Sequence, residues 1–182
     1  MARIDPLKNT EGDPGISEAF EQHMKEYSAR ITNMKATLGH SLISFQVYMG
    51  WYPLYEEVKQ VVGKRLASLY AFSISSGSEC PLCSTFFRKI IVDAGENPDA
   101  LQLTETEQDL LNFGSAISKH KGHVSDDDFK SVRSRFSDKE LVILVAFAGQ
   151  MVATNVFSNV TQTDIDDYLT PYLEDNKIKS HG

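Results

Sequence analysis

The sequence predicts an all-α fold from three observations. Apolar residues recur at steps of three and four, helix N-cap signatures repeat along the C-terminal half, and alternating runs between Asn-Gly or Asp-Gly turns are absent. With 182 residues, 41% of them apolar, the chain suits one domain with a substantial core, spanning 1–182. Two cysteines are too few for a disulfide scaffold. A net charge of -7 argues against a nucleic acid or an anionic membrane as partner, because both require a basic surface. Residues 1–15 mix charges with Pro6 and Pro14 and hold no apolar stretch of signal-peptide type. They are expected to form a flexible N-terminal segment, and the protein is expected to be cytoplasmic.

The elements follow in order. Over residues 16–38, Ala19, Phe20, Met24, Tyr27, Ile31, Met34 and Leu38 share one helix face, and Gly39 ends it. A short apolar segment, 41–49, is interrupted by Trp51-Tyr52-Pro53 before a helix that carries Glu56, Glu57 and Lys59. Residues 63–75 form another helix, with Leu66, Leu69, Tyr70 and Ser73 at helical spacing, and Ser75-Ser76-Gly77-Ser78 turns into a Cys-X-X-Cys. The cysteine helix runs to Ala94-Gly95, and Asn97-Pro98 closes it. Thr104 with Glu107, and Ser137 with Glu140, fit the capping box. Ser125 precedes Asp126, Asp127 and Asp128, acidic residues at the end where the helix dipole favours them, so they read as capping rather than as metal ligands. Helices are therefore expected to start near Glu105, Asp126, Asp138 and Asp164.

The helix after Ser137 carries no charged residue over 141–160. Its length would suit a membrane span, but Gln150, Thr154, Asn155, Ser158 and Asn159 interrupt it. It reads instead as a helix buried in a core or between subunits, its amides facing a site or an interface. A homo-oligomer is the consequence, with no membrane involved.

The chemistry is concentrated in Cys80-Pro81-Leu82-Cys83. Pro81 suits the first helical position, which makes Cys80 the N-cap and sets Cys83 in the first turn. Exposed N–H groups and the helix dipole stabilise a thiolate there, so the motif reads first as a dithiol/disulfide centre. Two alternatives stand beside it. Zinc needs four ligands, which His120 and His123 would complete on paper, although their polar His-Lys-Gly-His fragment reads as a solvated turn. The cysteines could also be inert and merely packed. In the cytoplasm the redox reading is favoured, with no cofactor and no metal.

Most of the chain resembles the carboxymuconolactone decarboxylase and alkylhydroperoxidase D superfamily. The stretch Asn33-Met34-Lys35-Ala36-Thr37-Leu38-Gly39-His40-Ser41 is similar to the family's approach to an alanine-histidine-serine-proline turn, from which Gly39 and Leu42 depart. Cys80 and Cys83 followed by Asp93-Ala94-Gly95 match its redox helix, and the segments after Leu103 follow its tail in order. The resemblance implies an all-helical, homo-oligomeric alkylhydroperoxidase D-like domain in which Cys83 attacks a peroxide and Cys80 resolves it. It also implies a proton relay of a histidine four residues after the second cysteine and a glutamate about a dozen before the first. Here those positions are Phe87 and Ser68, or Leu66 if the turn over 76–79 carries an insertion. Glu79, beside Cys80, would raise the thiol pKa, while Arg88 and Lys89 read as solvated. His40 and His120 are the remaining candidates for proton transfer.

Three function classes follow. The first is a thiol-disulfide oxidoreductase cycling Cys80 and Cys83, with weak hydroperoxide reduction and a disulfide-reducing partner or small dithiol. The second is a redox-sensing oligomer without turnover. The third is a lactone decarboxylase, whose relatives generally lack the cysteine pair.

Overall fold

The computed structural model describes residues 2–8 and 15–173, and among these every regular element is helical. The helices are α1 (Ile16–Tyr27), α2 (Asn33–Leu38), α3 (Leu42–Met49), α4 (Trp51–Gly77), α5 (Pro81–Asp93), α6 (Glu105–Lys119), α7 (Asp126–Arg133) and α8 (Asp138–Thr161). A 3₁₀ helix, Asp167–Tyr172, follows.

α4 is the central element and packs against α5, α6 and α8. Its side chains Leu69, Tyr70 and Ile74 are fully buried, together with Leu110 and Phe113 of α6 and Leu144 and Phe147 of α8. Close approach of α4 and α6 depends on two glycines. A Cβ at Gly77 would lie 2.2 Å from Ser118 Oγ, and one at Gly114 would lie 2.5 Å from the Tyr70 ring. Gly63 supplies the kink in α4, with φ 82 and ψ 157, a conformation open to glycine and costly to other residues. The two helical segments expected on either side of residue 63 are thus joined end to end.

Two expectations are corrected. The single helix over 16–38 is two helices, α1 and α2. Ser28 adopts a left-handed conformation with φ 49, and Thr32 starts a new helix by accepting from the Lys35 N–H. No α-helix starts near Asp164. The chain stays extended there because Asp166 accepts the Asn33 N–H at 2.9 Å instead of capping its own helix, and Pro171 cannot extend an α-type ladder. The capping boxes at Thr104 and Ser137 form as expected, and Ser125 Oγ accepts the Asp128 N–H.

The N-terminal expectation falls partly on Met1 and residues 9–14, outside the described residues. Of the remainder, the Arg3 N–H donates to Thr161 O at 2.8 Å and the Leu7 N–H to Ala36 O at 3.3 Å. α8 has the length and apolar character of a membrane span. One face, including Leu141, Leu144, Phe147 and Met151, is buried in the bundle, while Val142, Val145, Val156 and Val160 are exposed.

Candidate functional site

Two helices meet at Cys80. α4 ends in a Schellman turn, in which the Cys80 N–H donates to Ser75 O and the Glu79 N–H to Ser76 O, each at 3.1 Å, with Glu79 left-handed at φ 50. Cys80 is also the N-cap of α5, ahead of Pro81, and its carbonyl accepts the Ser84 N–H at 2.9 Å. The first sulfur is therefore fixed by the end of one helix and the start of the next.

The polar residues of α8 hold this junction. Asn159 Nδ2 donates to the carbonyls of Ser78 at 3.1 Å and Glu79 at 3.5 Å. Asn155, fully buried, accepts from Ser75 Oγ at 3.4 Å. Ser158 Oγ lies 3.9 Å from Cys83 Sγ. Asn155 and Asn159, two of the amides that interrupt the apolar helix, thus bind the turn that leads into the cysteines.

Both cysteines are buried and free. They divide a charge unequally. Hydrogen bonding from Cys83 is the main influence that lowers the Cys80 pKa, aided by the backbone N–H groups of Cys83 and Leu82 and opposed by burial. Cys83 is pushed well above the usual thiol range, first by its hydrogen bonding with Cys80 and then by burial. Of the two sulfurs, Cys80 is therefore the one whose ionised form the first turn of α5 favours.

The sulfurs face different spaces. Cys83 lines a largely apolar cavity of ≈ 70 Å³, walled by Met34, Trp51, Phe86, Phe87 and Met151. Cys80 lines a separate depression of ≈ 350 Å³, with Ser76, Glu79 and Ser84. Beyond the Cys83 cavity lies a groove of ≈ 770 Å³ that shares Lys35, Trp51, Tyr52, Phe86 and Tyr168 with it.

The positions expected to carry a relay hold other groups. Phe87 is buried on the cavity wall, its ring 6.4 Å from Tyr55 and 5.1 Å from Phe86. Ser68 is buried and its hydroxyl is 2.9 Å from the Tyr55 hydroxyl. Leu66, the alternative position, is a core residue. His40 is exposed, with Nε2 3.0 Å from Asp5 O, and His120 is exposed at the end of α6. Neither lines the Cys80 or the Cys83 space. Arg88 pairs with Asp99, and Lys89 with Asp93. Among the described residues no three His, Cys, Asp or Glu side chains are grouped to hold a metal ion, and His123 is exposed in the turn after α6.

Sequence reasoning missed a polar group at the cavity. Lys35 is buried, donates to Arg30 O at 2.9 Å and to the Tyr52 hydroxyl at 2.8 Å, and burial pushes its pKa down to about 8. Asp166 lines the same cavity. Burial raises its pKa, and its Oδ2 is enclosed without a hydrogen-bond partner. The available signal was a lysine inside the apolar run Met34 to Leu38, every residue of which is buried. Asp166 gave none, since only the tertiary fold brings it there.

No protein-family model matches the sequence, and no curated protein matches it. Solved structures do. The debrominase Bmp8 superposes with a TM-score of 0.77 at 17% identity, covering 93% of this chain and 95% of that one. Its cysteine-to-alanine variant in complex with 2,3,4-tribromopyrrole superposes with a TM-score of 0.77 at 16% identity, covering 93% and 94%. A peroxidase-related protein from Ralstonia eutropha JMP134, described as an alkylhydroperoxidase AhpD core, gives 0.64 at 15% identity over 91% of this chain and 94% of that one. The chain has the alkylhydroperoxidase D-like fold. A further peroxidase-related protein, from Silicibacter sp. TM1040, gives 0.68 at 15% identity over 91% and 93%. At these identities the AhpD-like likeness concerns the fold, and the chemistry has to be argued from this chain's own residues.

Proposed function

We propose that the protein is a thiol-disulfide oxidoreductase in which Cys83 meets the substrate and Cys80 resolves. The observation that carries this reading is geometric: Cys83 borders the apolar cavity, while Cys80 faces a separate depression. The Cys83 proton passes to the departing oxygen as the Cys83 sulfur attacks the terminal oxygen of a hydroperoxide. The O–O bond breaks, an alkoxide leaves and is protonated, and Cys83 becomes a sulfenic acid. Cys80 next attacks that sulfur, its proton leaves with the hydroxyl as water, and the disulfide forms. The sum is one hydroperoxide and two thiols giving one alcohol, one water and one disulfide.

An external dithiol returns the pair to the reduced state. In a cytoplasmic setting, as a homo-oligomer, this chemistry would be antioxidant. A second reading is favoured by the likeness to a debrominase. There the same two electrons would replace an aryl carbon–bromine bond by carbon–hydrogen, releasing bromide as the disulfide forms.

The reduced protein should consume one equivalent of cumene hydroperoxide and lose both thiols together. Cys80→Ser should stop at a sulfenic acid on Cys83 that dimedone traps, and Cys83→Ser should abolish peroxide consumption. Disulfide formation without repeated turnover in excess dithiol would favour a sensor instead. A cysteine pair inert to peroxide and to bromopyrroles would overturn the reading.

A further inference from the structure

We infer that the Cys83 cavity is a binding site for a small aromatic molecule bearing one hydroxyl group, gripped by Lys35 and Asp166. The inference rests on the reading of Cys83 as the sulfur that faces substrate, and it adds what that substrate looks like.

The polar end of the cavity is chemically incomplete. The Lys35 ammonium has three N–H donors, two of which are taken by Arg30 O and the Tyr52 hydroxyl. Asp166 Oδ1 accepts the Asn33 N–H, while Oδ2 is buried without a partner. A buried acceptor left unmatched is costly, and so is a desolvated ammonium with a spare donor. Both side chains line the cavity. A hydroxyl group seated between the two would donate its hydrogen to Asp166 and accept from Lys35. A ring N–H would satisfy only the carboxylate, and a ketone only the ammonium.

The walls select the rest of the molecule. Trp51, Phe86 and Phe87 present rings, and Met34 and Met151 present polarisable thioethers, surfaces that suit a flat aromatic body. The ≈ 70 Å³ of the cavity is about half of the ~150 Å³ that holds benzene in an apolar protein cavity, so a bound ring extends into the outer groove. A ring reaching Cys83 arrives through the outer groove, where Tyr27, Tyr52, Tyr55 and Tyr168 continue the aromatic lining.

The test uses phenol as probe and toluene as its counterpart without the hydroxyl. Trp51 is the only tryptophan in the chain and lines the cavity, so its fluorescence, excited beyond tyrosine absorption, reports occupancy directly. Phenol does not oxidise thiols, so reduced wild-type protein serves and the result is independent of turnover. Failure of the peroxide assay with retained phenol binding would therefore be a failure of the redox reading alone.

Phenol should give a saturable change, with toluene bound at least about tenfold more weakly, as expected for hydrogen bonds to charged groups. Asp166→Asn and Lys35→Met should each weaken phenol by about tenfold or more and leave toluene unchanged, in protein that keeps its helical circular dichroism. Equal binding of phenol and toluene to the wild type would overturn the inference, as would the absence of any saturable response to phenol.

Discussion

The hydroxyls of Tyr55 and Ser68 stand 2.9 Å apart, at the place where the resemblance puts a relay carboxylate, and the Tyr55 ring lies 6.4 Å from Phe87, at the relay histidine's place. Hydroxyl and aromatic groups thus stand where the resemblance implies a relay, and burial raises the Tyr55 pKa above its ordinary value.

Restoring the base should therefore accelerate peroxide reduction. Phe87→His sets an imidazole on the wall of the cavity that Cys83 lines, and burial keeps it neutral and able to accept a proton. Turnover with hydroperoxide should rise by about a hundredfold, the lower range for general acid-base assistance, and adding Ser68→Glu should raise it again. Phe87→Leu is the packing control and should lower the melting temperature without accelerating anything. Unchanged turnover in folded Phe87→His would show that an imidazole at this position does not supply the missing base.

The thiols should titrate as an unequal pair. Because the Cys83 thiol is the first cause of the low Cys80 pKa, Cys83→Ala should move the remaining Cys80 upward. Cys80→Ala should bring Cys83 down, since it removes the bond and the charge that hold it high. Ultraviolet thiolate absorbance against pH measures both. Movement of either residue in the other direction would show that the proton sits on Cys80 instead.

Local signals made most of this legible in the sequence. Pro81 behind Cys80 gave the N-cap, the two capping boxes gave the starts of α6 and α8, and Gly63 divided two apolar patterns at the kink. The proximity of the two cysteines was legible because both belong to one turn. What stayed hidden depended on distant parts of the chain. Ser28 and Thr32 break a helix whose apolar spacing continues across them, and Asp166 gives its carboxylate to Asn33, 133 positions earlier. Periodicity cannot register either event. His40 and His120 drew notice as histidines, whereas the buried charged group at the cavity is a lysine and an aspartate whose proximity only folding creates.

Acid sensitivity should trace largely to His23. Its ring packs between Tyr27, Phe45 and Tyr52, its Nε2 has no partner, and burial, then the Lys35 charge, push its pKa down to about 4. The unfolded chain takes up the proton near pH 6.5 and the folded one near pH 4. Stability is therefore full above pH 6.5 and falls as the pH drops through that window. By about pH 4.5 the loss amounts to ~2.5 kcal/mol. Urea unfolding of His23→Phe, which keeps the aromatic packing, should lose that much less between neutral pH and pH ~4.5. An identical loss in both proteins would assign the acid sensitivity elsewhere.

The exposed face of α8 bears on assembly. Val142, Val145, Gly149, Val152, Val156 and Val160 follow one another at steps of three and four, and the four valines 142, 145, 156 and 160 are 43% to 68% exposed. No atom lies within 4 Å of a Cβ built on Gly149, so the middle of the stripe is open to a close-packing helix. A second copy presenting the same stripe would cover it by two-fold symmetry, each valine meeting its counterpart's neighbours. We therefore propose a homo-oligomer with α8 at its interface. Val145→Glu combined with Val156→Glu should convert it to a monomer in light scattering. Both side chains point away from the core, so far-UV circular dichroism should be unchanged. A wild-type protein already monomeric at micromolar concentration, or a double variant with undiminished mass, would rule out this interface.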